Sequence, residues 1–143
     1  MSEAQDIDMD IVINLGGETI AQRWTENAKE RIYNSRIATT RDLVNFIKSK
    51  QKSPTLFISG SAVGYYGTHN HEKIFTEESA GNTTHSEFAQ SLCKDWEDEA
   101  LQASGLGIRT VLLRIGPVLG KDGGMLAKLL LSFRLGLGSQ IGD

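Results

Sequence analysis

Cysteine occurs once in this 143-residue chain, at Cys93, and proline only twice. A single thiol excludes an intrachain disulfide framework and any multi-cysteine zinc site. Basic residues are scattered without a Lys/Arg run, and the net charge is −3. That balance argues against nucleic-acid and membrane-surface partners. The most apolar stretch, Met125 to Leu137, is interrupted by Lys128 and Arg134, and it falls short of the roughly 20 residues a membrane span needs. The opening MSEAQDIDMD is acidic and has neither the charged-then-apolar order of a signal peptide nor the Arg-rich character of a transit peptide. A cytoplasmic location is expected. With 39% hydrophobic and 23% charged residues, the composition is that of one globular domain rather than a disordered chain.

Glycine is in excess, 15 residues, against a background near 7%, and its placement carries the information. Met9 to Leu15 is a short apolar run ending at Gly16-Gly17, as a buried parallel strand does. Thr25 is a plausible N-cap for a stretch reaching about Ser49 without Gly or Pro, with Ala28, Ile32, Leu43 and Ile47 at helical spacing, which reads as one long helix or two short ones. A second strand, Thr55 to Ser59, opens into a loop running from Gly60 to Gly67. Residues 68 to 82 read as an irregular connection. Thr84 and Glu87 then form a capping box, starting a helix whose apolar face holds Phe88, Leu92, Trp96, Ala100 and Ala103, with Gly105 as its left-handed C-cap. A third strand spans Ile108 to Ile115, and a helix from about Met125 to Leu135 follows the loop at Gly116 to Gly124. Strand and helix alternating in this way predict an α/β fold of right-handed β-α-β units. All three strands release into glycine-containing loops at their carboxyl ends, where open parallel sheets place ligands.

Several motifs fail on spacing. Gly116 to Lys121 has three residues between its glycines rather than four, and Asp122 stands where a phosphate loop needs Ser or Thr. In Gly136-Leu-Gly138-Ser-Gln-Ile-Gly142 the third glycine comes one place late for a dinucleotide fingerprint. Ser61 is not the centre of a nucleophile elbow, because Ser59 and Val63 occupy the glycine positions. His69, His71 and Glu72 on a polar loop read as solvated, so no metal site is expected. Asp95, Glu97, Asp98 and Glu99 read as the wet face of their helix.

The order of Ile13-Asn14-Leu15-Gly16-Gly17-Glu18, Ser35-Arg36, Ser59 to Gly67, Cys93-x-x-Trp96-Glu97, Leu113 to Gly120 and Phe133 to Gly138 resembles the epimerase-family proteins of the atypical short-chain dehydrogenase/reductase group. These are often labelled nucleoside-diphosphate-sugar epimerases. The resemblance implies a partial NAD(P)-binding Rossmann fold over residues 9–143, with residues 1–8 a disordered acidic terminus. The family's N-terminal glycine-rich β-α-β unit, which holds the cofactor pyrophosphate, has no counterpart here. The chain is therefore expected to be the middle of a longer protein, inactive on its own and with cofactor affinity lost or very weak.

Carried over by position, Asn14, Leu15, Gly16 and Gly17 resemble the strand end beside the adenine and ribose of NADP(H) or NAD(H). Ser59, Gly60 and Arg36 join the expected cofactor-contact positions, with Arg36 standing where the superfamily has a helper asparagine. Gly116, Pro117 and Val118 resemble the segment near the nicotinamide, and Ser61 the serine that hydrogen-bonds the substrate. The superfamily's Tyr-x-x-x-Lys pair, in which lysine lowers the phenol pKa, is missing. Ala89 and Cys93 occupy its expected positions, which leaves Tyr65 or Tyr66 as substitute acid. Two readings follow: an NAD(P)-dependent epimerase or oxidoreductase acting on an unidentified small molecule, with sugar nucleotides the class the family label names, or a nucleotide-binding regulatory protein without turnover.

Overall fold

The computed structural model describes residues 8–67, 74–81, 87–120 and 124–138. Strand β1, Ile11–Asn14, leads into helix α1, Glu26–Lys48, then strand β2, Leu56–Ala62, and a single 3₁₀ turn at Val63–Tyr66. Helix α2, Phe88–Leu101, a second 3₁₀ turn at Ser104–Leu106, strand β3, Arg109–Ile115, and helix α3, Gly124–Arg134, complete the order. The strands form one parallel sheet in the order β1-β2-β3, so the α/β expectation holds. Among the described residues no helix is long and apolar enough to cross a membrane.

The stretch from Thr25 to Ser49 is one helix of 23 residues, and the Thr25 hydroxyl accepts from the Ala28 amide at 3.2 Å. This satisfies one of the amide donors left free at a helix start. Strand β2 runs further than its apolar run suggested, taking in Gly60, Ser61 and Ala62. The reason is the partner strand: β3 offers Leu113, Arg114 and Ile115 in register to those three residues, and unpaired backbone beside a strand would forfeit those hydrogen bonds. Helix α2 begins at Phe88 with Glu87 as its N-cap residue and no side-chain capping bond. Glu87 thus sits at the cap itself rather than three residues inside, and Thr84 lies outside the described residues. The left-handed glycine at the far end is Gly107, at φ 78°, rather than Gly105, because the 3₁₀ turn extends the chain past the helix before it reverses.

Two successive crossovers in the same direction put α1 and α2 on one face of the sheet. They are joined there by the Tyr33 hydroxyl donating to Asp95 at 2.9 Å and by an Arg41–Glu99 ion pair. Strand periodicity divides the side chains accordingly. Val12, Phe57, Val44, Ile47, Ala100, Ala103 and Ile108 form the core under the helices, whereas Ile11, Ile13, Leu113 and Ile115 remain substantially exposed. Phe57, on the middle strand, is the largest of the fully buried side chains among the described residues. Phe57→Ala is expected to lower the unfolding free energy by about 3–5 kcal/mol, measured by urea unfolding followed by circular dichroism.

Candidate functional site at the carboxyl edge of the sheet

At the end of β1, Asn14 is buried and does two jobs. Its Nδ2 donates to the Thr40 hydroxyl at 2.8 Å, and its Oδ1 accepts from the Gly16 amide at 3.3 Å. The second bond is a local turn of the kind asparagine makes with backbone two residues on. Beyond it the chain emerges, with Leu15, Gly16 and Gly17 all exposed. Gly17 leaves room for the Arg36 guanidinium: a Cβ there would lie 2.8 Å from Arg36 Cζ, so a larger residue would displace that side chain. Gly116, Pro117 and Val118 likewise emerge exposed from the end of β3.

Ser59 and Gly60, expected at the same edge, lie inside it. Ser59 is fully buried and donates to the Gly60 carbonyl at 3.3 Å. A Cβ on Gly60 would meet the Trp96 ring at 3.1 Å, so this glycine makes room for the indole. Trp96 Nε1 in turn donates to the Thr40 hydroxyl at 2.9 Å.

Ser61 is also buried, and its hydroxyl donates to Glu97 Oε1 at 2.5 Å. Arg114 grips the same carboxylate as a fork, Nε to Oε1 and Nη2 to Oε2, both at 2.8 Å. Glu97 is 3% exposed, which corrects its assignment to the wet face of the helix. The missed signal was positional: Cys93, Trp96, Glu97 and Ala100 recur at i, i+3, i+4 and i+7, the spacing of one buried stripe. Arg114 follows the same logic on β3, two residues beyond Leu112 and in register with Ser61. Charged residue types hid a position that periodicity alone would have placed inside.

The Arg114 Nη1 then donates to the Tyr66 hydroxyl at 3.0 Å and to the Glu77 carbonyl at 3.2 Å. Its guanidinium lies 3.7 Å from the Tyr65 ring centroid, a cation–π contact. Hydrogen bonding to Glu97, which outweighs burial, holds the guanidinium above its ordinary range. The Tyr66 hydroxyl itself donates to the Thr76 carbonyl at 3.0 Å, whereas the Tyr65 hydroxyl bonds to none of the described residues. Ser61, Tyr65 and Tyr66 are therefore brought together, with Arg114 as the link.

Ala89 and Cys93 pack against Gly64: a Cβ on that glycine would sit 3.6 Å from both Ala89 Cβ and Cys93 Sγ. Burial pushes the Cys93 thiol up, against the lowering effect of backbone hydrogen bonds from Ala62 and Tyr65. His69, His71 and Glu72 lie outside the described residues, and among those described no cluster of metal-ligating side chains forms.

Two outcomes test this arrangement. Glu97→Ala strips the partly buried Arg114 guanidinium of its charged partner, and should cost up to about 3 kcal/mol of stability by chemical unfolding. Cys93 gives a pH signature, because a thiol that is harder to ionise in the fold supports stability below the ordinary thiol range. That support is lost as pH rises through and beyond the range, so the unfolding free energy should decline at alkaline pH. Cys93→Ala should remove that part of the slope.

The sequence pattern of the NAD dependent epimerase/dehydratase family matches residues 2–141. The epimerase family protein YfhF of Bacillus subtilis (strain 168) is 40% identical over 134 residues, covering 94% of this chain and 43% of that relative. The chloroplastic SDR39U1 homolog of Arabidopsis thaliana is 38% identical, covering 92% of this chain and 37% of its own length. The human epimerase family protein SDR39U1 (isoform 2), solved with NADPH, superposes with a TM-score of 0.83 at 34% identity, covering 96% of this chain and 46% of that one. The chain thus spans less than half the length of these relatives. Over its own length, from the parallel sheet to the glycine-bearing strand ends, the chain belongs to the NAD dependent epimerase/dehydratase family.

Proposed function

We propose that the exposed backbone at the ends of β1 and β3 is this chain's share of an NAD(P)(H) site, in a protein performing epimerase or oxidoreductase chemistry on a small polar substrate. Sugar nucleotides are the substrate class the reading favours. The observation that carries it is the exposure of Leu15 to Gly17 and of Gly116 to Val118 at the carboxyl ends of parallel strands in one sheet, where α/β folds hold flat ligands. Glycine at three of those six positions lets backbone approach a ligand closely. The human relative's NADPH supports the same assignment. Asn14 to Gly17 would lie along the adenosine end and Gly116 to Val118 along the nicotinamide end. The cofactor, when bound, supplies the hydride donor or acceptor.

The chain's own residues set the rest. Ser61 directs its hydroxyl hydrogen bond to Glu97, so its oxygen meets any other neighbour as an acceptor. Tyr66 is engaged on both sides, by Arg114 and Thr76. Tyr65, whose hydroxyl bonds to none of the described residues, is the phenol left to exchange a proton with substrate.

A second reading, nucleotide binding without turnover, is favoured by Ala89 and the buried Cys93 standing where a Tyr-x-x-x-Lys pair would be. Hydrogen-exchange mass spectrometry with millimolar NADPH, run on the protein extended to the length of its relatives, tests the shared claim: slowed exchange is expected at residues 14–17, 116 and 118, and unchanged exchange there overturns both readings. Sustained NADPH oxidation with a panel of carbonyl compounds and sugar nucleotides, abolished by Tyr65→Phe and kept by Tyr66→Phe, supports the enzyme. Protection without oxidation supports the second reading.

A further inference from the structure

Arg36 stands beside the end of β1 in unusual company. Its Nη1 donates to the Ile32 carbonyl at 3.1 Å and the Ser35 hydroxyl at 3.4 Å, and its Nη2 donates to the Glu18 carbonyl at 3.1 Å. All three acceptors are neutral. The one nearby carboxylate, that of Glu18, accepts instead from Gln22 at 3.2 Å, and among the described residues Arg36 forms no ion pair. A guanidinium carries five N–H donors, so the Nε proton and one Nη2 proton are left over. Nε and Nη2 share one edge of the guanidinium plane, the edge by which arginine grips a carboxylate or phosphate as a fork.

The group is nevertheless rigidly placed. Its guanidinium carbon lies 5.3 Å from the Trp96 ring centroid, and the missing side chain at Gly17 is what lets it lie against the strand end. The neighbouring Glu18 amide donates to Ser35 at 2.8 Å, fixing the loop around it. Neutral acceptors would be served equally well by an uncharged donor, so latching the loop does not account for the charge. Half-burying a cation without an anion is unfavourable. Burial indeed lowers the Arg36 pKa, against the opposing influence of Cys93 and Glu18.

We propose that Arg36, held between Gly17 and Trp96, anchors an oxyanion site at the carboxyl end of β1 that takes a phosphate or carboxylate group. The oxyanion belongs either to a dinucleotide, in which case the inference rests on the cofactor reading above, or to an anionic substrate. The same fork serves both.

Trp96 is a built-in reporter, and the chain's other tryptophan, Trp24, can be removed by Trp24→Phe. In that background, pyrophosphate, inorganic phosphate and NADPH are titrated at constant ionic strength, with sodium chloride as the control. A saturable change in Trp96 emission is expected. Arg36→Gln should weaken it about 10- to 100-fold, and Arg36→Lys, which keeps the charge and loses the fork, by less. The Lys variant also serves if the Gln variant does not fold, which thermal melting reports.

A pyrophosphate response lost in the variants, with no NADPH response, supports the site with a separate anionic ligand and counts against the cofactor reading. An NADPH response weakened by the variants supports the dinucleotide as source. NADPH binding unchanged by Arg36→Gln overturns the proposal and leaves the cofactor reading standing. Absence of any saturable response, or only an adventitious one shared with chloride, also overturns it.

Discussion

A carboxylate almost wholly withdrawn from water, Glu97 on the inner side of α2, is the constraint around which the carboxyl edge of this protein is arranged. A charge so placed must be paired and hydrogen-bonded or it destabilises the fold. Arg114 supplies the pairing as a two-pronged fork and Ser61 the remaining bond. These three residues come from α2, β3 and β2, so the ends of the two strands and the helix between them are fixed by one group. The fixing continues outward through the Arg114 contacts to Tyr65, Tyr66 and Glu77. The residues best suited to chemistry are thus positioned by an ion pair whose carboxylate is buried and whose guanidinium is mostly covered.

A neutral counterpart operates at the other strand. The Thr40 hydroxyl, fully buried on α1, accepts from both Asn14 and Trp96. Through it the end of β1, the middle of α1 and the middle of α2 share one atom. Trp96 fills the space beside Gly60 and supports the Arg36 cation on its face. The two hubs sit side by side on α2, at Trp96 and Glu97, and between them they orient both the exposed end of β1 and the tyrosine cluster.

Most of the architecture could be read from sequence because it follows from periodicity and turn chemistry. The apolar runs of β1 and β3, the Thr25 cap and the uninterrupted helix after it each appear where the residues put them. The misreadings share one cause, a local rule overridden by packing. Gly60, Ser61 and Ala62 look like loop, yet β3 pairs with them. Glu97 looks solvated by its type, yet its helical position lies in the stripe of Cys93, Trp96 and Ala100. Asn14 and Arg36 were legible as site residues only through their resemblance to a family. What they touch depends on Thr40 and Trp96, residues 26 and 60 positions away, which no local pattern links to them.

The burial of the Glu97–Arg114 pair also separates it from the protein's other ion pairs. Lys29–Glu26, Arg41–Glu99 and Lys94–Asp98 all expose at least one partner broadly, and mobile ions screen such pairs over about 10 Å at moderate salt. The Glu97–Arg114 pair, its side chains 4% and 18% exposed, is screened much less. Concentrated salt would loosen the bonds along the outer faces of α1 and α2 and leave the carboxyl edge assembled. The geometry of the candidate site is in this sense insulated from its ionic surroundings, while the helices that cover it are not.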